Sequence, residues 1–309
     1  VKKKYLNSMK EAFYKINFKY DFLAKKGLEF QDWFCELAKY VWSDDFERIR
    51  PNGKQGDWKC DGRQISTGTI FQAYTPERPR ITNTINKINS DFEGAKKHWP
   101  DFMKKWIFVY NDPNGLPPEV ARALDKLRND NPCISISSWT KEDLFANLYS
   151  RLNHESKEMI FGPVPEEETF KSMTLEDLEP VIDSLMKVDL DPRQELPPPP
   201  SHLKLEKNNL SEDASNLLLL GRSRVRLVEI LFQKSGPVEM GEKIAESFRN
   251  RYCELNTYNL SADEIFMYLQ KFAHFFEKKS PNHQAAVMAV LAYLFDNCDI
   301  FEDPELDEE

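Results

Sequence analysis

None of the five cysteines (Cys35, Cys60, Cys133, Cys253 and Cys298) forms a Cys-x-x-Cys pair with another. That spacing indicates neither a disulfide framework nor a zinc ribbon. A reducing cytoplasm is the expected compartment. No apolar run approaches the roughly 18 residues that a membrane span needs, and the basic, amphipathic N-terminal stretch lacks the continuous apolar segment of an export signal. Neither export nor membrane insertion is expected. Positive charge is in deficit, with 42 Lys and Arg against 51 Asp and Glu and a formal net charge of -9. A chain coated with basic nucleic-acid-binding residues is thereby excluded, so any DNA contact has to be local or shared with a partner. Internal repeats are absent as well. What the chain does have is 309 residues, 40% of them hydrophobic and 12% aromatic, which is ample for two packed domains.

From Leu6 to Lys25 the apolar residues Leu6, Met9, Phe13, Ile16, Tyr20 and Leu23 recur at three and four, the period of an amphipathic helix, and Gly27 ends it. A second helix is expected over Leu28 to Val41. Phe46 to Arg50 reads as a short strand, and the stretches around Asp61 and Thr69 to Tyr74 read as two more, giving a three-stranded meander. A helix with the stripe Ile81, Ile85, Ile88, Phe92 and Ala95 follows, with Lys87 near its border beside Asp91. Trp106 to Tyr110 is a continuous apolar run, expected as a central strand buried on both faces. A helix over Glu119 to Arg128, a strand at Ile134 to Ile136 and a helix capped by Thr140 and running to Leu152 complete this half.

Between about Glu155 and Lys207 the composition turns acidic and proline-rich. It holds a weak helix near Leu175 to Lys187 and the run Pro197-Pro198-Pro199-Pro200, which stiffens the chain as a connection. Everything beyond reads as helix: Asp213 to Gln233, Pro237 to Leu255, Ser261 to Lys278 and Pro281 to Asn297. The run from Ala285 to Phe295 is apolar almost all round, as at the centre of a small bundle. Ser261 and Glu264 match a capping box. Asp299 reads as a cap, and Glu302 to Glu309 as a solvated acidic tail.

The stretch Gly56-Asp57-Trp58-Lys59-Cys60-Asp61-Gly62, followed by Thr69-Ile70-Phe71-Gln72-Ala73-Tyr74, stands out for chemistry. Strand alternation puts Ile70, Gln72 and Tyr74 on one face and Phe71 and Ala73 on the other. If the segment before the turn pairs with that strand, Asp61 and Gln72 meet at one sheet edge, an oxygen cluster suited to a divalent cation. Spacing alone leaves open a plain turn with a polar strand residue.

These residues, with Phe30-Gln31 on a helix and the order α, three β, α, β, resemble the Mrr-like branch of the PD-(D/E)xK restriction-endonuclease superfamily. The likeness covers residues 28 to 112 well and extends more loosely to about 152. It implies an α/β restriction-endonuclease-like domain with a mixed central sheet flanked by helices, acting as a metal-dependent DNA endonuclease with Mg²⁺ or Mn²⁺. Carried over by position, Asp61 and Gln72 are the metal ligands, with Asp57 as an assisting ligand or a turn cap. The strand lysine of the pattern is replaced by Tyr74, and a phenol with an ordinary pKa near about 10 is no substitute for an ammonium. Lys87 is the leading replacement, or an exposed helix lysine paired with Asp91, and Lys54 and Lys59 follow. Glu36 is a further helix carboxylate or, more simply, part of a solvated helix face. Lys96, Lys97, Lys104 and Lys105 are candidate phosphate contacts, or a solvated helix face.

At the other end Gly236 to Ala245, Asp263 to Phe266 and, above all, Ala289 to Glu302 with its Cys-Asp-Ile-Phe-Glu ending resemble the C-terminal domain of effectors of ABC-three-component systems. The Lamassu antiphage systems overlap with that group. The likeness implies an all-α docking module for a middle component and, through it, an SMC-like ABC ATPase that senses foreign DNA. The expected division is an N-terminal helix over 1–27, a nuclease-like domain over 28–154, a linker over 155–207, a helical docking domain over 208–305 and a tail over 306–309. The expected role is an endonuclease held inactive by its partners, with self-association on activation; the alternative is a nuclease fold without turnover, serving as a DNA-binding or adaptor subunit.

Overall fold

A computed structural model describes residues 2–50, 58–75, 80–112, 115–185, 203–234, 240–258, 260–275, 280–297 and 299–302. Two compact units emerge, one of Phe18–Ile160 and one of Val1–Asn17 with Phe161–Glu309, so the boundary falls within the first helix.

In the first half helices α1 (Lys2–Ala24), α2 (Gly27–Trp42), α3 (Ile81–His98), α4 (Pro118–Asp130), α5 (Lys141–Asn147) and α6 (His154–Phe161) alternate with strands β1 (Phe46–Arg48), β2 (Gly62–Gln64), β3 (Thr69–Tyr74), β4 (Lys105–Tyr110) and β5 (Ser135–Trp139). The strands form one sheet in sequence order, antiparallel from β1 to β3 and parallel from β3 to β5. The antiparallel half is the expected meander. The parallel half needs crossovers, which α3 and α4 supply.

Side-chain alternation sorts the two faces. Ile70 joins Trp106, Phe108 and Tyr110 against Ile88, Phe92 and Ala95 of α3 and Val120 and Leu124 of α4. Phe71 points the other way, into an aromatic cluster with Phe34 and Trp42 of α2, Phe46 and Trp139. The whole run Trp106 to Tyr110 is buried, as its composition predicts. It is an interior strand, although β3 takes the middle of the sheet. Asn111 follows it and donates Nδ2 to the carbonyls of Phe22 (2.7 Å) and Lys25 (3.2 Å), satisfying acceptors at the end of α1.

The second unit is helical. It contains α7 (Glu167–Ser172), α8 (Leu175–Leu185), α9 (Leu203–Lys207), α10 (Glu212–Arg222), α11 (Val225–Lys234), α12 (Met240–Asn256), α13 (Ala262–Phe272) and α14 (Pro281–Asp296). The apolar helix α14 is its centre, buried at every position from His283 to Ala292. The Ser261–Glu264 capping box forms as read.

The single helix expected over Asp213 to Gln233 is two, broken at Ser223-Arg224. Gly221 abuts α14 so closely that a Cβ there would lie 2.1 Å from the Met288 carbonyl oxygen. Just beyond it the Ser223 hydroxyl donates to the Leu220 carbonyl at 2.7 Å, competing with continuation of the helix. Within the stretch read as a connection, α6, α7 and α8 form, and Phe170, Leu178, Val181, Ile182 and Leu185 are buried. Pro197 to Pro200 and Cys298 lie outside the described residues. Asp299 does not act as a simple cap: its carboxylate pairs with Arg249, which also holds Glu242. Burial pushes the Asp299 carboxyl up to about 6.

Candidate metal and nucleic-acid site

Asp61 immediately precedes β2, and the ladder already includes it: its amide donates to the Phe71 carbonyl and its own carbonyl accepts from Ile49, both at 3.0 Å. Because Gly62 pairs with Phe71, Asp61 falls opposite Gln72. Directly opposed residues of antiparallel strands project to the same face. The Asp61 carboxylate also accepts the Ala73 backbone N–H at 2.6 Å, so it fixes the end of the meander as well as standing beside Gln72. Gly62 is required here by packing, since a Cβ would lie 2.4 Å from the Phe46 ring.

Both polar residues are withdrawn from solvent, Asp61 at 6% exposure and Gln72 at 1%. The buried Gln72 Oε1 has no hydrogen-bond partner among the described residues, and neither has the Thr75 hydroxyl three residues on. A buried carbonyl oxygen without a donor costs free energy unless something cationic or protic completes it. From α2, Gln31 donates to the Ala73 carbonyl at 3.4 Å, and the Cys35 thiol lies 3.5 Å from the Asp61 carbonyl oxygen. Burial, then the Asp61 charge, pushes that thiol up to about 12. Cys35 is therefore a protonated packing group.

The lysine position is filled differently. Tyr74 joins an aromatic row with Phe108 and Tyr110, at ring-centroid distances of 5.8 and 6.3 Å. Lys87 on α3 reaches Asp91 at 2.6 Å, and Lys59, from the loop before Asp61, reaches the same carboxylate at 3.0 Å. Asp91 is completely buried. An aspartate inside the apolar stripe between Ile88 and Ala95 is the signal that marks this position, and its second lysine comes from a loop that helix periodicity does not see.

Of the remaining expected residues, Asp57 and Lys54 lie outside the described residues. Lys96 donates to Asn131 Oδ1 at 2.6 Å. Lys97 and Lys104 are exposed, and Lys105 is half-buried at the start of β4. Glu36 is exposed and lines a groove of about 710 Å³ with Asp32, Lys39, Glu47 and Arg48, the Asp32 and Arg48 side chains forming an ion pair. Among the described residues no cluster of three or more His, Cys, Asp or Glu side chains is arranged to hold a metal ion. The candidate donor set is thus one carboxylate and one amide oxygen.

The architecture is that of a two-unit chain, a mixed five-stranded α/β unit with a buried polar pair at its meander and an all-α unit built on α14. Residues 176–302 match the family model of C-terminal domain 10 of the ABC-three component (ABC-3C) systems. That match supports membership of such a system through the C-terminal domain, and it covers less than half of the chain. No curated protein matches, and no solved structure does. No helix among the described residues is long and apolar enough to cross a membrane.

Proposed function

We propose that the chain is the DNA-cleaving effector of an antiviral ABC-three-component complex, with the α/β unit as a restriction-endonuclease-like nuclease and the helical unit as its docking module. The observation that carries this reading is the pairing of Asp61 with Gln72, whose buried Oε1 lacks a donor. Hard oxygen donors of this kind suit Mg²⁺ or Mn²⁺, which is commonly held by one or two protein oxygens and otherwise by water and phosphate. Asp61 and Gln72 would hold the ion, with Asp57 as an assisting ligand. When bound, such an ion lowers the pKa of coordinated water and neutralises charge on the phosphate. This chain's residues keep the carboxylate in place through the Ala73 amide and exclude solvent from the amide oxygen. Lys96, Lys97, Lys104 and Lys105 supply local positive charge for the phosphate backbone in a chain that is acidic overall. In the same proposal the partners, a middle component and an SMC-like ABC ATPase that senses foreign DNA, keep the nuclease inactive until triggered, and self-association accompanies activation.

A second reading, a fold without turnover that binds DNA or adapts partners, is favoured by one specific observation. Among the described residues Lys87 and Lys59, the two candidates for the missing lysine, both engage Asp91, and Tyr74 at the strand position packs in an aromatic row. Phage challenge of cells separates the two. Loss of protection by Asp61→Asn, with the complex still assembled, supports the nuclease; full protection by Asp61→Asn supports the adaptor.

A further inference from the structure

The loop leading to Asp61 carries a second surface of different chemistry. Trp58 and Lys59 both have left-handed backbones, with φ of 54° and 58°, unusual for bulky side chains and sustained only where the surroundings enforce it. That turn lays the Trp58 indole on the exposed His98 imidazole at the end of α3, centroids 5.5 Å apart and planes within 8°. Trp99 braces it edge-on at 5.6 Å and donates its indole N–H to the Trp58 carbonyl at 3.2 Å. The Arg63 guanidinium in turn lies over Trp99 at 5.0 Å and over Phe102 at 4.9 Å. Trp58 is held in this arrangement while keeping 41% of its surface open. The surrounding segment 96–105 holds four lysines against one aspartate.

Flat aromatic surfaces held rigid beside local positive charge are the physical requirement for unpaired bases, whose faces stack while the phosphates meet the cations. A paired duplex hides those faces. We propose that Trp58 and His98, braced by Trp99 and Arg63, form a stacking platform for unpaired DNA bases beside the Asp61 site. The proposal rests on the reading of the α/β unit as a nucleic-acid-binding module and adds the substrate class: DNA with a single-stranded stretch.

The test uses the full chain carrying Asp61→Asn, so that binding is measured without cleavage. Labelled single-stranded DNA, duplex DNA of the same sequence and single-stranded RNA are titrated by anisotropy, with indole fluorescence as a second readout. Single-stranded DNA binds in preference to both others and quenches the indole signal. Adding Trp58→Ala weakens that binding roughly 5- to 150-fold, leaves duplex binding unchanged, and Trp58→Phe restores most of it. If the alanine variant fails to fold, His98→Ala with the same selective loss supports the platform. Equal affinity of the Trp58→Ala and parent proteins for single-stranded DNA overturns it, as does an equal loss on duplex and single strands, or preference for RNA. Trp58-dependent binding by a complex that never cuts DNA would sink the nuclease reading and leave the platform standing. Cleavage that needs Asp61, with binding indifferent to Trp58, does the reverse.

Discussion

Asp61 carries a structural task as well as the proposed chemical one, and the two separate by substitution. Its carboxylate accepts the Ala73 amide at 2.6 Å in a position only 6% exposed. A hydrogen bond to a charged group contributes about 1.5–3 kcal/mol, and deleting the acceptor leaves the buried N–H of Ala73 without a partner. Asp61→Ala is therefore expected to cost the α/β unit about 2–3 kcal/mol. In a unit of this size that corresponds to a melting-point drop of roughly 5–10 °C. Asp61→Asn keeps an oxygen in the same place and costs under about 1 kcal/mol, while removing the charge a metal would need. All six tryptophans, Trp33, Trp42, Trp58, Trp99, Trp106 and Trp139, lie in this unit, so indole fluorescence in a urea titration reports it without interference from the helical unit. Wild type and Asn should unfold close together, with Ala at a clearly lower denaturant concentration. Coincident midpoints for wild type and Ala would refute the claim that this carboxylate holds the end of the meander.

Three further outcomes follow from the packing and charges. Gly221→Ala gains up to about 1 kcal/mol of helix propensity, but its Cβ would lie 2.1 Å from the Met288 carbonyl oxygen, a backbone atom with little room to yield. Net destabilisation of about 1–3 kcal/mol is expected from overpacking, and a thermal melt followed by circular dichroism that rises instead would contradict the close crossing. Asp299 has a carboxyl raised from 3.8 to about 6, chiefly by burial. The folded state thus holds its proton more tightly, a stabilisation fully present below about 4 and lost as pH rises through about 6. Asp299→Asn should flatten that part of the pH–stability curve, and an unchanged slope argues against the assignment. Cys35, 3% exposed with its thiol pushed up to about 12, should stay unmodified by iodoacetamide in the native protein at pH 8 while exposed Cys133 and Cys253 react; rapid alkylation of Cys35 by peptide mass spectrometry would show that its burial is wrong.

Much of the α/β unit is legible in the sequence because each element carries its own period. The alternation in Thr69 to Tyr74 assigns Ile70, Gln72 and Tyr74 to one face, and the stripe from Ile88 to Ala95 supplies the helix that covers it. The opposition of Asp61 and Gln72 follows once the meander is drawn. Other features depend on contacts between distant segments, which local patterns do not encode. Asp91 sits at helical spacing among apolar residues, yet its burial and its double lysine pairing require Lys59 to arrive from another loop. The break between α10 and α11 has no proline to announce it and falls where the Ser223 hydroxyl bonds back to the Leu220 carbonyl. Helix α7 is too short to show a period, and Phe170 is buried all the same. The stacking of Trp58 on His98 rests on two left-handed residues that no propensity favours.

The central claim, that this chain cuts DNA at Asp61 and Gln72, is tested most directly on supercoiled plasmid. The activated complex is incubated with the plasmid and Mg²⁺ or Mn²⁺, and the products are resolved on a gel. Wild type should convert the plasmid to nicked and linear forms, and the equally well folded Asp61→Asn complex should leave it supercoiled. Cutting by Asp61→Asn at the wild-type rate, or an activated wild-type complex that never nicks DNA, would contradict the account.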